Sequence, residues 1–536
     1  MLKRRTLLAT SAAALAAPGI AATPALAAPG AAAPGKRVLK FIPQSDLAVL
    51  DPCWTTAYVT RNHGFMVFDT LYGQASDYKM SPQMAAGHDV SADGKTWTIT
   101  LRDGLLFHDG SKVLAKDCVM SIQRWGKRDS FGQTLMAATD ELSAKDDKTL
   151  VFRLKRPFPL LPDALGKTGS MMCPIMPERL AKTDPFTQIT EMVGSGPYRF
   201  IANEHVPGSL IVYERFEKYQ PLKTGTPSFT AGPKIVHFDR VEWHVIPDAA
   251  TAGAALQAGE MDWWEQPPSD YLPLFKRGGK LSVSIQDPTG LIGCMRPNFL
   301  YPPFDNVAFR RALLPAINQT DYMTAAAGTD PSLWHVPVGV FCPGTPMAND
   351  VDLNLLTGAH DPDAVKKAIQ ASGYKGEKVV ALVATDQPAI KAAGEVGVAM
   401  MQSVGINVDD VETDWGTVVQ RRTSKAAPDK GGWNVFFTYW SGMDMFNPAV
   451  DTSIRGNGPN GWLGWLEAPK LEQLRDAWIQ APDVPTQQKI AREIQAAFFD
   501  ILPYYPLGQL LQPTAYSKSI TGIPFGFVQF WNVKRA

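Results

Sequence analysis

The stretch from Ser284 to Asn306, SIQDPTGLIGCMRPNFLYPPFDN, constrains the fold more than any other part of the chain. Its apolar run, Leu291-Ile292-Gly293-Cys294-Met295, is bounded by Gly290 and, just past Arg296, by Pro297, the pattern of a short buried strand. Proline donates no ladder hydrogen bond, so the strand is expected to stop at Arg296 or to leave its sheet there. A guanidinium on a buried strand is costly unless an anionic group meets it. We therefore read this strand as the crossing point between two lobes, with Arg296 facing the space between them. The competing reading pairs Arg296 with a neighbouring carboxylate as a structural element.

The pattern on either side is mixed α/β. Val38 to Ile42 reads as a strand, Leu50-Asp51-Pro52 opens a loop through Trp54 and Tyr58, and Phe65, Val67, Phe68 and Leu71 form an apolar stripe at helical spacing that stops at Gly73. Two units then alternate with period two after an acidic turn: Trp97, Ile99 and Leu101 in one, Leu150, Phe152 and Leu154 in the other. With the helix expected from Ala115 to Trp125 they predict a small β-rich satellite. Pro247-Asp248 caps a helix that Gly259 ends, and Met261 to Pro267 returns as a strand. Strand, helix, strand in that span argues for a mixed sheet.

Beyond the crossing strand, Asp305-Asn306 caps a helix that Pro315 is expected to bend or interrupt, and Asp361-Pro362 starts another that Gly373 closes. Val379 to Val383, Ala389 to Val404 and Ile406 to Val408 read as strand, helix, strand. Trp433 to Trp440 is an apolar strand followed by an irregular loop, Ser441 to Pro448. Two amphipathic helices follow, and the tail from Tyr504 to Ala536 is expected to run back to the first lobe. The domain reading is 36–285 for lobe I, with the satellite at about 74–195, then 286–504 for lobe II and 505–536 for the return. Hinges are expected near Pro247–Gln266 and Gln286–Arg296.

Charge and cysteine usage narrow the class. The chain carries 52 basic and 52 acidic residues, and the first 27 hold three of the basic ones and no acid, so a chain without them has a formal net charge of −3. No basic footprint for nucleic acid is present, and no later stretch is apolar enough to span a bilayer. Lys3-Arg4-Arg5, an Ala/Leu body and Ala25-Leu26-Ala27 form an export signal over residues 1–27. Arg4-Arg5 resembles a twin-arginine signal, and the general secretory route stays open. The first cysteine is Cys53, far from the cleavage point, so no lipid anchor is expected and the mature protein reads as a soluble periplasmic monomer. Export permits disulfides, but five cysteines (Cys53, Cys118, Cys173, Cys294 and Cys342) leave at least one thiol unpaired within the chain, and their pairing stays open. The eight histidines form no cluster with metal-ligand spacing; His237 and His244 read as packing, and neither a metal nor a cofactor is expected.

The ordered motifs resemble a known family. Leu50-Asp51-Pro52, Asp69-Thr70-Leu71-Tyr72, Ser91 to Trp97 with Leu101-Arg102-Asp103-Gly104, and Phe107-His108-Asp109-Gly110 are similar to the first lobe of family 5 extracellular solute-binding proteins, the peptide/nickel-type receptors of ABC importers. Gly194 to Phe200, Ala255 to Asp262, Pro302 to Asn306 with Arg311-Ala312-Leu313, and Val404 to Val408 continue the resemblance in order over nearly the whole mature chain. It implies a two-lobed periplasmic-binding-protein fold (type II, cluster C) with an extra β-rich subdomain in the first lobe. It also implies capture of a small ligand and delivery to the transmembrane permease subunits. This chain has no phosphate-cradling GxxxxGK[ST] of its own. In peptide-binding members the loop after the second-lobe strand carries an acid that pairs the ligand's amino group; here Asn447-Pro448 stands where Asp-Pro is expected, and Asp444 takes that role from a shifted position.

The candidate ligand residues are Arg296, Asp444, Trp440, Tyr58, Trp54, Trp462, Trp465, Asn298 and Trp264. Loops at strand ends are where open α/β sheets bind ligands, which singles out Asp444 against a loop-stabilising Asx turn. The tryptophans supply flat apolar surface with one donor each, against plain core packing. Arg421-Arg422 reads as a solvated face. An enzyme is disfavoured: Gly194-Ser195-Gly196 fails the G-x-S-x-G spacing because Val193 stands in the way. The expected ligand is zwitterionic, a short peptide or amino-acid conjugate, with a sugar or opine-like solute as the alternative. A chaperone or sensor on the same scaffold is the third class.

Overall fold

The computed structural model describes residues 37–536, and the export signal expected over residues 1–27 lies outside them. Two large sheets organise the chain. The first has seven strands in the order Leu281–Ser284, Thr514–Ser517, Trp263–Trp264, Val38–Ile42, Arg240–His244, Leu210–Arg215, Tyr198–Phe200. Val38–Ile42 pairs in parallel with both Arg240–His244 and Trp263–Trp264. The helix Ala249–Ala258 makes the crossover: the Asp248 carboxylate accepts the Thr251 N–H at its start, and Gly259 ends it at φ 81°. The second sheet has six strands in the order Trp334–His335, Tyr505–Leu510, Leu291–Pro297, Val435–Ser441, Val379–Ala384, Val408–Thr413.

A four-stranded antiparallel sheet forms the satellite. The two alternating units pair directly, Trp97 opposite Phe152 and Ile99 opposite Leu150, so their apolar faces share one buried side. The helix Ala115–Trp125 packs against this sheet. The helix after Asn306 ends at Leu313 and tightens into a 3-10 turn, Leu314–Ala316; Pro315 lies in that turn and interrupts the helix, one of the two outcomes expected of it.

The chain passes between the two main sheets twice, at residues 285–290 and 511–513. The first passage overlaps only the start of the segment Gln286–Arg296 expected as a hinge, the rest of which lies in the strand Leu291–Pro297. The other expected hinge, Pro247–Gln266, holds the helix and strand of the first sheet and is no passage. The return also comes later than expected, because Tyr505–Leu510 still pairs with Leu291–Pro297 in the second sheet and only Thr514–Ser517 rejoins the first. The tail then covers the first lobe: the Phe530 ring lies 5.0 Å from Phe41 and 5.6 Å from Trp243 and Trp263. All five cysteines are buried and unpaired.

Arg296 does not face the space between the lobes. Its strand buries it completely within the second lobe, where Nε donates to the Leu463 carbonyl (2.7 Å) and Nη1 to those of Ser453 (2.7 Å) and Pro503 (2.9 Å). The guanidinium also lies 4.7 Å from the Trp462 ring. Burial lowers its pKa to about 10, opposed by the nearby Cys294 and Asp451. Carbonyl dipoles meet the charge, which neither sequence reading foresaw, and the three acceptors are stitched to one strand. Replacing Arg296 with Ala strands those carbonyls without donors, at about 1–3 kcal/mol each. Urea denaturation of Arg296→Ala is expected to show a loss of at least ~3 kcal/mol; unchanged stability with lost ligand binding would return Arg296 to the ligand set.

Candidate functional site

A cleft opens where the two passages meet, at the carboxyl ends of parallel strands of the first sheet, the place open α/β sheets favour for ligands. Gln44 follows Val38–Ile42, Glu265 and Gln266 follow Trp263–Trp264, and Gln286 and Asp287 follow Leu281–Ser284. The second lobe contributes Leu291 and Ser441, and the tail adds Ile523, Phe527 and Val528. The empty space enclosed by these residues is about 620 Å³, a figure that includes the solvent at its open mouth. Trp263 is fixed by its indole N–H donating to Thr514 Oγ1 (2.6 Å), which in turn donates to the Trp264 carbonyl (2.8 Å).

The charged groups of the cleft are not paired with one another. Arg61, on the helix Tyr58–Val67, is 5% exposed, and its guanidinium lies 4.0 Å from the Phe527 ring and 4.8 Å from that of Tyr58. Nε and Nη2 donate to Asn62 Oδ1 at 3.3 and 3.2 Å, while the buried Nη1 has no hydrogen-bond partner. Burial lowers the Arg61 pKa, opposed among others by Asp444, Asp287 and Glu265. Glu265 accepts from the Gln44 N–H (2.8 Å), Gln44 Nε2 (3.3 Å) and Asn62 Nδ2 (3.1 Å). Burial pushes its carboxyl up to about 7. Asp287 accepts from the N–H and hydroxyl of Thr289 in its own turn and pairs with no lysine or arginine among the described residues; burial raises its pKa too.

Of the nine residues expected to meet ligand, Tyr58 alone lines this cleft. Asp444 sits beside it as a clasp between the lobes. Its Oδ1 accepts the Ser170 N–H (2.9 Å) and hydroxyl (3.0 Å), and its Oδ2 accepts the Tyr58 hydroxyl (3.1 Å). Tyr58 Oη in turn accepts the Ser441 N–H. The fit admits only glycine at position 169, where an added Cβ would lie 2.2 Å from Asp444 Oδ1. Stacked Tyr78 and Phe446, 5.5 Å apart, and the Ser130–Thr452 hydroxyl pair, 3.2 Å apart, extend the contact.

The remaining candidates lie outside the cleft, buried except for the half-buried Trp54 and Trp462. Trp440 meets Trp462 edge to face, Trp462 covers Arg296, and Trp465 packs on Trp433. Asn298 donates to the Trp433 carbonyl and accepts the Leu300 N–H. Trp264 packs on Tyr271 and Phe275, and Trp54 lies under the Arg128 guanidinium. Arg421, read as a solvated face, donates to the carbonyls of Gly431 and Gly432, and the Arg422 guanidinium stacks on Trp415. Arg61, Glu265 and Asp287 were missed. A usable signal existed: Glu265-Gln266-Pro267 and Gln286-Asp287-Pro288 are polar pairs set between a strand end and a proline.

The chain is similar to known proteins over nearly its whole length. Residues 79–461 match the profile of "Bacterial extracellular solute-binding proteins, family 5 Middle". The chain is 38% identical over 494 residues to a probable peptide ABC transporter periplasmic-binding protein of Sinorhizobium fredii, covering 92% of each chain. Among solved structures it resembles the binding protein AgaA of A. tumefaciens R10 in complex with agropinic acid (TM-score 0.77, 20% identity, 93% of this chain and 99% of that one). It also resembles a Pseudoalteromonas dipeptide-binding protein in complex with Met-Leu (TM-score 0.76, 18% identity, 93% and 100%).

Two outcomes are expected from the site. Gly169→Ala or Asp444→Asn removes charge-assisted bonds between the lobes and shifts the empty protein roughly tenfold or more toward an open form. Small-angle scattering reads this as a larger radius of gyration, whereas an unchanged radius would mean that the clasp holds nothing. Glu265 keeps its proton in the folded protein up to about pH 7, while an unfolded chain releases it near its ordinary 4.5, so folding stability falls as pH rises through that window. Glu265→Gln is expected to flatten that slope in melting curves between pH 4.5 and 7. A residual slope of the same sign remains from Asp163 and Asp451, also raised by burial to about 7.

Proposed function

This chain belongs to family 5 of the bacterial extracellular solute-binding proteins, the substrate-binding components of ABC importers, and from that premise we propose that it captures a small zwitterionic solute, a short peptide or amino-acid conjugate, in the cleft between its two sheets. The observation that carries this reading is the charge pattern of the cleft: a buried guanidinium, the Asp287 carboxyl and the Glu265 carboxyl, which ionises only from about pH 7, line one space with no ion pair among them. Buried charges ordinarily find partners, so such a cleft is completed by a ligand carrying both signs. The amides of Gln44, Gln266, Gln286 and Gln512 suit peptide groups or hydroxyls along the ligand's length, and Trp263, Phe527 and Val528 suit its carbon. The similarity to a probable peptide ABC transporter periplasmic-binding protein of Sinorhizobium fredii supports the peptide class.

Capture follows from closure. Ligand binding draws the lobes together only if the closed form binds it better than the open one, and a cleft lined by both lobes supplies that difference. The solute is released unchanged to the permease, and catalysis forms no part of this reading. Export by the signal at residues 1–27 and action as a soluble periplasmic monomer complete it. Among the described residues no helix is long and apolar enough to cross a membrane.

Deleting the gene is expected to abolish uptake of whichever solute co-purifies with the protein from its native periplasm, as identified by mass spectrometry and followed with the labelled compound. Undiminished uptake, or conversion of that compound by the pure protein, would overturn the assignment.

A further inference from the structure

We propose that Arg61 is the carboxylate anchor of this cleft, and that Asn62 keeps it free for a ligand by standing between it and Glu265. The proposal rests on the solute-receptor reading above and names the group that reads one end of the solute.

The argument starts from a charge that the protein does not neutralise. Arg61 is buried and, among the described residues, belongs to no salt bridge and leaves Nη1 without a partner, although Glu265, Asp287 and Asp444 all act on it electrostatically. Arg296, the other fully buried arginine discussed above, is saturated by carbonyls. A buried guanidinium with a bare N–H is destabilising unless something fills the space beside it. Nη1 belongs to a side chain that lines the cleft, and the stacked rings of Tyr58 and Phe527 hold the guanidinium plane in place.

Asn62 explains why the anion is missing from the protein itself. Its Oδ1 accepts both Nε and Nη2 of Arg61, and its Nδ2 donates to Glu265 Oε1, so the amide bridges cation and carboxylate without letting them touch. Gln44 satisfies the rest of Glu265. Two N–H groups of the fork are used to orient it, and the remaining edge is left for a planar two-oxygen acceptor, which a carboxylate matches better than an amide or a hydroxyl. Asn62 is thus a positioning residue, and Arg61 the group that touches ligand.

Isothermal titration calorimetry of the purified mature protein with Ala-Leu and with its C-terminal amide tests this. The wild type is expected to bind the free acid at least about 100-fold tighter than the amide. Arg61→Gln is expected to bring the two within about threefold of each other. The near-isosteric Asn62→Asp, which gives the guanidinium an internal carboxylate, is expected to do the same. The empty Arg61→Gln protein is expected to melt no lower than wild type, because it loses a buried charge that had no ionic partner among the described residues. An acid–amide gap that persists in Arg61→Gln, a wild type that binds both probes equally or neither, or a marked drop in melting temperature of empty Arg61→Gln would each overturn the proposal. None of these results touches the importer assignment, which stands or falls on solute uptake in the deletion strain.

Discussion

Everything in this molecule turns on the fact that its two sheets share the chain at only two places, residues 285–290 and 511–513. Both passages run along the floor of the cleft, where Asp287 lies on one and Gln512 on the other. Two covalent links of a few residues let the lobes separate without disturbing either sheet, while keeping the faces that must meet in register. On the proposed function, the residues that join the lobes also line the ligand's cleft. A ligand seated on them touches the elements whose backbone angles set the opening, the arrangement that couples binding to shape.

Closure of this cleft balances two opposing terms. The clasp of Asp444 with Ser170 and Tyr58, tightened by the close approach at Gly169, favours contact between the lobes whether or not a ligand is present. Burial of Arg61 with a bare Nη1 disfavours it, since in an open cleft water can solvate the guanidinium. A carboxylate in the cleft removes the second term and leaves the first. The switch then depends on ligand through one desolvated charge, and the clasp sets how far the empty receptor leans toward the closed form. Asp444, expected from the family resemblance to meet the ligand's amino group, is held here by Ser170 and Tyr58.

The fold was largely legible in the residues, and the site was not. Local chemistry announced the Asp248 cap, the Gly259 stop, the period-two strands of the satellite and the apolar strands of both sheets, because each depends on neighbours a few positions away. Register between distant segments was not legible: Tyr505–Leu510 is as apolar as a strand of either sheet would be, and only its pairing with Leu291–Pro297 places it in the second lobe. Arg296 misled because a guanidinium on a buried strand signals an anion, while the acceptors it found are backbone carbonyls of residues 453, 463 and 503, which no side-chain pattern can reveal. Arg61 was hidden for the opposite reason. The run Thr60-Arg61-Asn62-His63 reads as the wet face of a helix, yet all four are buried, with the tail placing Phe527 against Arg61 from more than 460 residues away. The recoverable clue lay at strand ends, where glutamate, glutamine and aspartate stand just ahead of a proline.

The central claim is that a solute's carboxylate completes an arginine which the protein leaves unfinished. A crystal structure of the protein carrying the solute retained from its native periplasm tests this most directly. The account predicts a carboxylate oxygen within hydrogen-bonding distance of Arg61 Nη1, about 2.7–3.2 Å, with Asn62 still between Arg61 and Glu265. A solute bound in the cleft with its carbon portion or an uncharged group against Arg61, and its anionic group elsewhere, would contradict it.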